Sequence, residues 1–215
     1  MPPAPHATAV ACLEKACPVM KELIRQVGPC TLEIETGRTP FQALVSAVAH
    51  QQLHGKAAQT ILDRYRQLFG GRLPGPKALA AVTDEQLRAT GFSRAKTAAI
   101  RDLAEKSISG VVPGAKVIAA LSDEEIIARL TTVRGVGKWT AEMLLIFTLG
   151  RPDVWPVDDF GIRAGWKIAY ALDEMPSPKE LQILGEKFRP QRSVAAWYFW
   201  RATDLARQHP RGSAA

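Results

Sequence analysis

The chain has 215 residues, of which 28 are Lys or Arg and 21 are Asp or Glu, for a formal charge of +7 and an apolar fraction of 47%. That balance is ordinary for one domain or two small lobes; it excludes extensive disorder, and no apolar run is long enough to span a bilayer. The positive excess fits a polyanionic partner without identifying one.

The first residues lack the basic, apolar and small-residue sequence of a secretory signal, so the cytoplasm is the expected compartment, with a nucleoid association if the source is bacterial. Cys12, Cys17 and Cys30 form no Cys-x-x-Cys pair, and His6, His50, His54 and His209 complete no zinc pattern. Three cysteines cannot supply a four-cysteine iron–sulfur cluster, so neither zinc nor iron–sulfur is expected.

Helical signals run from end to end. Leu13, Cys17, Met20, Leu23, Ile24 and Val27 form a single apolar stripe that Gly28-Pro29 ends. Residues 31–35 alternate like a strand, but the piece is too short and isolated to found a sheet. Thr39-Pro40 reads as an N-cap with proline at the first helical position, opening a helix to about His50. The next helix carries Ala58, Ile61, Leu62, Tyr65, Leu68 and Phe69 on one face and stops at Gly70-Gly71. Thr83 with Gln86, and Ser122 with Glu125, form capping boxes. Between them Ser93 caps a longer helix ending near Gly110, and Pro113-Gly114 precedes another. Helical spacing returns over 138–149, 160–172 and 177–188, and Pro190 opens a last helix holding Val194, Trp197, Tyr198 and Leu205.

The expected fold is therefore all-α. Helices this short must share cores and pack as one or two bundles, and a two-lobed helical bundle is the expected arrangement. A middle lobe is expected at 40–130, with 1–39 and 131–215 forming the second lobe.

Two stretches carry chemistry. Residues 133–141 read Val-Arg-Gly-Val-Gly-Lys-Trp-Thr-Ala between two helices. Gly135 and Gly137 permit a tight turn, and the following helix start points amides outward, where a phosphate can bind. Downstream, Asp158 and Asp159 stand where a loop enters a helix. Capping is one role for such a residue, but two adjacent aspartates need not share it, and one can project toward a ligand.

The run from Gly135 to Ala141, with an aspartate twenty-two residues after Gly137, resembles the helix–hairpin–helix DNA glycosylases. Within them the chain is most similar to the 3-methyladenine DNA glycosylase II branch of alkylation repair. Three further stretches support this: His-Gln-Gln-Leu-His-Gly-Lys-Ala-Ala at 50–58, Gly-Phe-Ser-Arg-Ala-Lys at 91–96 and Arg-Pro-Gln-Arg-Ser at 189–193.

The resemblance implies a catalytic cleft between the lobes, with Asp159 as the catalytic carboxylate and Asp158 as its neighbouring cap. Breaking an N-glycosidic bond leaves an oxocarbenium-like sugar, which a sheltered carboxylate stabilises while it orients water. An alkylated purine is already cationic, so one carboxylate suffices for its departure. Relatives that also cut the strand place a Schiff-base lysine where this chain has Trp139, which implies a monofunctional enzyme without lyase activity.

Trp139, Trp200, Trp155 and Met143 are the expected walls of the base pocket, aromatic faces favouring a cationic base. Gln52, Leu53 and His54 are expected to enter the minor groove as a wedge, His54 replacing a serine common in the family. Arg134, Gly135, Gly137, Lys138 and Thr140 are expected on phosphate; Arg134 stands where proline is usual. The main-chain carbonyls of Thr131, Val133 and Val136 are expected to hold Na+ or K+, with no cofactor required for the chemistry. The implied partner is double-stranded DNA containing alkylated bases, bound by a monomer without a membrane. The other readings are a glycosylase for deaminated or oxidised bases, or a non-catalytic module that only binds DNA.

Overall fold

A computed structural model of the chain describes residues 6–53 and 55–208. All regular elements among the described residues are helices, and residues 31–35 form no strand. The first apolar stripe is broken: α1 spans Ala7–Ala16 and α2 spans Pro18–Val27. Pro18 has no amide to donate, so Cys17 turns extended (φ −166°, ψ 156°) and its thiol accepts the Met20 amide as the cap of α2. Periodicity across Pro18 made two helices read as one.

The chain divides into two units, one formed by Glu35–Leu149 and the other by the described residues on either side. In the Glu35–Leu149 unit, α3 is Pro40–His50, α4 Gly55–Leu68, α5 Asp84–Ala89, α6 Arg94–Ile108, α7 Ala115–Ile118, α8 Asp123–Leu130 and α9 Lys138–Phe147. Thr39, Thr83 and Ser122 cap α3, α5 and α8 with reciprocal boxes, and Ser93 caps α6 through the Lys96 amide. Leu44 and Val48 of α3, Ile100 and Leu103 of α6, Leu130 of α8 and Leu145 of α9 are fully buried. Each contributes roughly 2 kcal/mol of hydrophobic stabilisation before ordering costs.

The boundary therefore falls at 149/150 rather than 130/131. Helix α9 and the hairpin before it pack on α8 and α3, so they belong to the middle unit and not to the one holding Asp159. The Glu35 amide, donating to the Phe147 carbonyl at 2.7 Å, ties the entry of this unit to its exit.

The other unit joins α1 and α2 to α10 (Phe160–Ala169), α11 (Pro178–Leu184), a 3-10 turn at Gly185–Phe188 and α12 (Arg192–Gln208). Its core is aromatic. Trp166 stacks on Tyr170 (4.4 Å, 10°) and meets Trp155, Phe188 and Phe199 edgewise or tilted. Helices α10 and α12 touch backbone to backbone at Gly165, where a Cβ would stand 1.9 Å from the Phe199 carbonyl oxygen. No described helix is long and apolar enough to cross a membrane.

Candidate active site

Asp159 is the N-cap of α10. Its Oδ1 accepts the Ile162 amide at 2.8 Å and the Trp200 Nε1–H, also at 2.8 Å, while the residue is only 9% exposed. Asp158 is exposed and is not the cap, so the division of labour expected for the pair is corrected: Asp159 both caps the helix and meets Trp200. A single carboxylate oxygen can serve both donors because the α10 start and the Trp200 turn of α12 are brought together by the contact at Gly165. Gly161 completes the arrangement, since a Cβ there would lie 2.8 Å from Trp200 Cδ1 and 3.1 Å from Asp159 Oδ1.

Two residues of the Arg-Pro-Gln-Arg-Ser stretch at 189–193 support this corner. Arg192 is buried and grips Asp153 with Nε on Oδ1 (2.8 Å) and Nη2 on Oδ2 (3.0 Å). Ser193 donates to the Arg151 carbonyl at 2.6 Å and accepts the Val154 amide at 3.0 Å. The segment leading to Asp159 is thus clamped to the start of α12, which gives Arg-Ser at 192–193 a positioning task. Phe160, beside Asp159, is 65% exposed and lies off the buried stripe Ile162, Gly165 and Trp166 of α10.

Trp155, expected in the base pocket, is not among the residues that line the cavity holding Trp139 and Met143. It is buried in the aromatic core and donates its Nε1–H to the Leu181 carbonyl at 2.9 Å, against Gly185, where a Cβ would stand 2.1 Å from that nitrogen. An indole whose N–H and ring faces are both engaged inside the fold has nothing left for a ligand.

In the Glu35–Leu149 unit, the hairpin turns at Gly135 (φ 74°) and closes with the Val136 amide on the Val133 carbonyl. Gly137 caps α9 without a side chain, leaving the first-turn amides of that helix without a side-chain acceptor from the cap. Asp102 of α6 anchors the turn: its Oδ2 accepts the Arg134 amide at 2.6 Å and the Lys106 ammonium at 2.8 Å. Burial acts to raise this carboxyl's pKa, but the amide and the ammonium outweigh it and hold it below the usual range. Arg134, Gly135, Gly137 and Lys138 are exposed, as phosphate contacts require. Lys138 also pairs with Glu142 at 3.5 Å. Thr140 is 4% exposed, so its hydroxyl is withdrawn from the helix mouth and only its backbone belongs to the first turn.

The same unit contains a cavity of about 660 Å³, lined by Trp139, Thr140, Met143, Ser46, His50 and Gln52 among others. Trp139, 44% exposed, and Met143 one turn later line this cavity together with Gln52. The loop after α3 exposes Gln52 and Leu53, with Gln52 in the left-handed region at φ 57°. The expectation for His54 lies outside the described residues.

Residues 45–191 match the model of a family described as HhH-GPD superfamily base excision DNA repair protein. The chain is 41% identical over 170 residues to DNA-3-methyladenine glycosylase 1 of Schizosaccharomyces pombe, covering 79% of this chain and 75% of that one. A solved structure of S. pombe 3-methyladenine DNA glycosylase in complex with abasic DNA superimposes with a TM-score of 0.84 at 37% identity, covering 93% of this chain and 98% of the other. DNA-3-methyladenine glycosidase from Bacillus halodurans gives a TM-score of 0.85 at 35% identity, covering 94% and 92%. The chain belongs to the HhH-GPD superfamily of base excision DNA repair proteins, in its 3-methyladenine glycosylase branch.

Proposed function

We propose that the protein is a monofunctional DNA glycosylase that releases alkylated purines of the 3-methyladenine and 7-methylguanine type from duplex DNA. The observation that carries this reading is the Asp159 carboxylate, sheltered from solvent and held on one oxygen by the Ile162 amide and the Trp200 indole N–H. A fixed negative charge in a site of reduced dielectric stabilises positive charge developing on the deoxyribose as the base departs, and it costs no reorganisation at that moment. The same carboxylate orients the water that attacks C1′.

The exposed indole of Trp139 supplies an aromatic face for a cationic purine, and the loop at Gln52 and Leu53 of the same unit fills the stack that the nucleotide vacates. Arg134, Gly135, Gly137 and Lys138, with the α9 amides, hold phosphate. At the hairpin we propose a monovalent cation on the carbonyls of Thr131, Val133 and Val136, Thr131 at the end of α8 and the other two on the turn closed by the Val136 amide; it would offset phosphate charge there. An indole at 139 cannot form a Schiff base, which supports hydrolysis without strand cleavage.

The test is base release from methylated duplex DNA, with borohydride present in a parallel reaction. Free methylpurine and strands that break only after alkali or heat are expected. Release of no base would overturn the enzymatic reading, and a borohydride-trapped adduct that vanishes in Lys138→Gln would overturn the monofunctional one.

A further inference from the structure

Helix α6 carries two groups that reach out of it to the two DNA-facing loops of its unit. At its first turn, Lys96 Nζ donates to the carbonyls of Ala49 and Gln51, both at 2.8 Å, where α3 ends and the loop begins. Six residues later, Asp102 accepts the Arg134 amide of the hairpin. A third bond closes the circuit: Gln51 Nε2 donates to the Gly135 carbonyl at 2.9 Å.

These contacts flank Gln52, which has the strained backbone among the described residues of the loop. Gln52 adopts φ 57°, a region that residues with a Cβ seldom occupy, and neither a glycine nor a short polar side chain eases it. Such a conformation persists only where its surroundings over-determine it. Here the carbonyl on its N-terminal side is held by Lys96, and the side chain of the preceding residue is held by the hairpin. The Leu53 amide closes the turn on the His50 carbonyl at 3.2 Å. An ammonium at the C-terminal end of α3 also meets the negative end of that helix. Partial burial lowers the Lys96 pKa, a cost that a surface lysine would not bear.

We infer that Lys96 and Gln51 are positioning residues that hold the wedge loop in its inserting conformation and tie it to the phosphate-gripping hairpin, with α6 as the common mount. This rests on the glycosylase reading above. Because the loop is set before DNA arrives, insertion meets little ordering cost, and its reach relative to the gripped phosphates is fixed by the helix. Lys96 touches neither base nor sugar in this role; its effect is on extrusion of the nucleotide and not on bond cleavage.

The experiment compares wild type with Lys96→Met, Lys96→Arg and Gln51→Leu on two duplexes. One pairs 7-methylguanine with cytosine; the other places the same lesion opposite an abasic-site analogue, where little pairing must be broken. A 2-aminopurine beside the lesion reports unstacking independently of chemistry, and thermal melting monitors the fold. Lys96→Met is expected to slow both unstacking and release by about tenfold on the paired lesion but by no more than about threefold on the unpaired one. Affinity for undamaged duplex should stay within about twofold, Lys96→Arg should recover most of the loss, and Gln51→Leu should show the same pattern more weakly. Equal losses on both duplexes, an equal loss of undamaged-duplex affinity, or no loss at all would overturn the inference. Should the wild type unstack the 2-aminopurine but release no base, the glycosylase reading fails while the positioning role is still decided by the fluorescence.

Discussion

Replacing Asp159 by Asn removes a charge and little else. The amide oxygen of Asn accepts the Ile162 amide and the Trp200 N–H as the carboxylate does, and Asn caps helices about as well as Asp. The remaining structural loss is the interaction of the negative charge with the α10 dipole, about 0.3–1 kcal/mol, which lowers the melting temperature by roughly 1–4 °C. The chemical loss is larger. A carboxylate about 4 Å from a developing unit charge, at an effective dielectric near 20, contributes about 4 kcal/mol. That is about three powers of ten in rate. Single-turnover release of 7-methylguanine, with enzyme in excess over duplex, measures it directly. Asp159→Ala separates the two effects from the other side, because it also deletes the cap and the Trp200 bond, together about 2–4 kcal/mol of stability. Asp158→Asn should leave both rate and melting near wild type, since Asp158 is exposed and caps nothing. Release by Asp159→Asn within about threefold of wild type, with an unchanged melt, would refute the assignment of this carboxylate.

Gly161→Ala should slow release by at least about tenfold and lower the melting temperature by several degrees, because its Cβ meets Trp200 at 2.8 Å and overpacking of this kind costs roughly 1–3 kcal/mol; single-turnover release beside a melt checks it. Trp155→Phe is expected to cost about 2 kcal/mol, through the orphaned Leu181 carbonyl and a partial void, yet to release base at the wild-type rate below its melting range. A rate defect there without unfolding would return Trp155 to the base pocket. Affinity for undamaged duplex should fall with salt at a log–log slope of several units, and Lys138→Gln should reduce that slope by about one, measured by fluorescence anisotropy over a salt series.

What was legible in the sequence was local. Caps, breakers and periodicity placed the helices from α3 onward, because Thr39, Ser93, Ser122 and Gly137 act within three or four residues of themselves. The same local reading failed at Pro18, where a stripe of correct spacing crosses a residue that cannot continue a helix. It placed the hairpin in the wrong unit because nothing near residue 130 announces which core α9 will join. The Asp pair was legible as a motif, but nothing local announces that Asp159 meets a tryptophan forty-one positions away. Trp155 and Trp200 have the same composition signal; only the fold buries one in the core and sets the other on the carboxylate. The bonds from Lys96 and Gln51 span forty-five to eighty-four positions and have no local signature.

The close approach at Gly165 bears on how this protein can change. With a Cβ position only 1.9 Å from the Phe199 carbonyl, the spacing of α10 and α12 is set by main chain against main chain and not by the size of the side chains around it. Asp159 starts one of these helices, and Trp200 follows Phe199 on the other. The neighbouring aromatic core can therefore exchange one large ring for another over evolutionary time, and the separation of carboxylate and indole stays where it is. Position 165 has no such latitude: any side chain there pushes the helices apart and lengthens the Asp159–Trp200 bond directly.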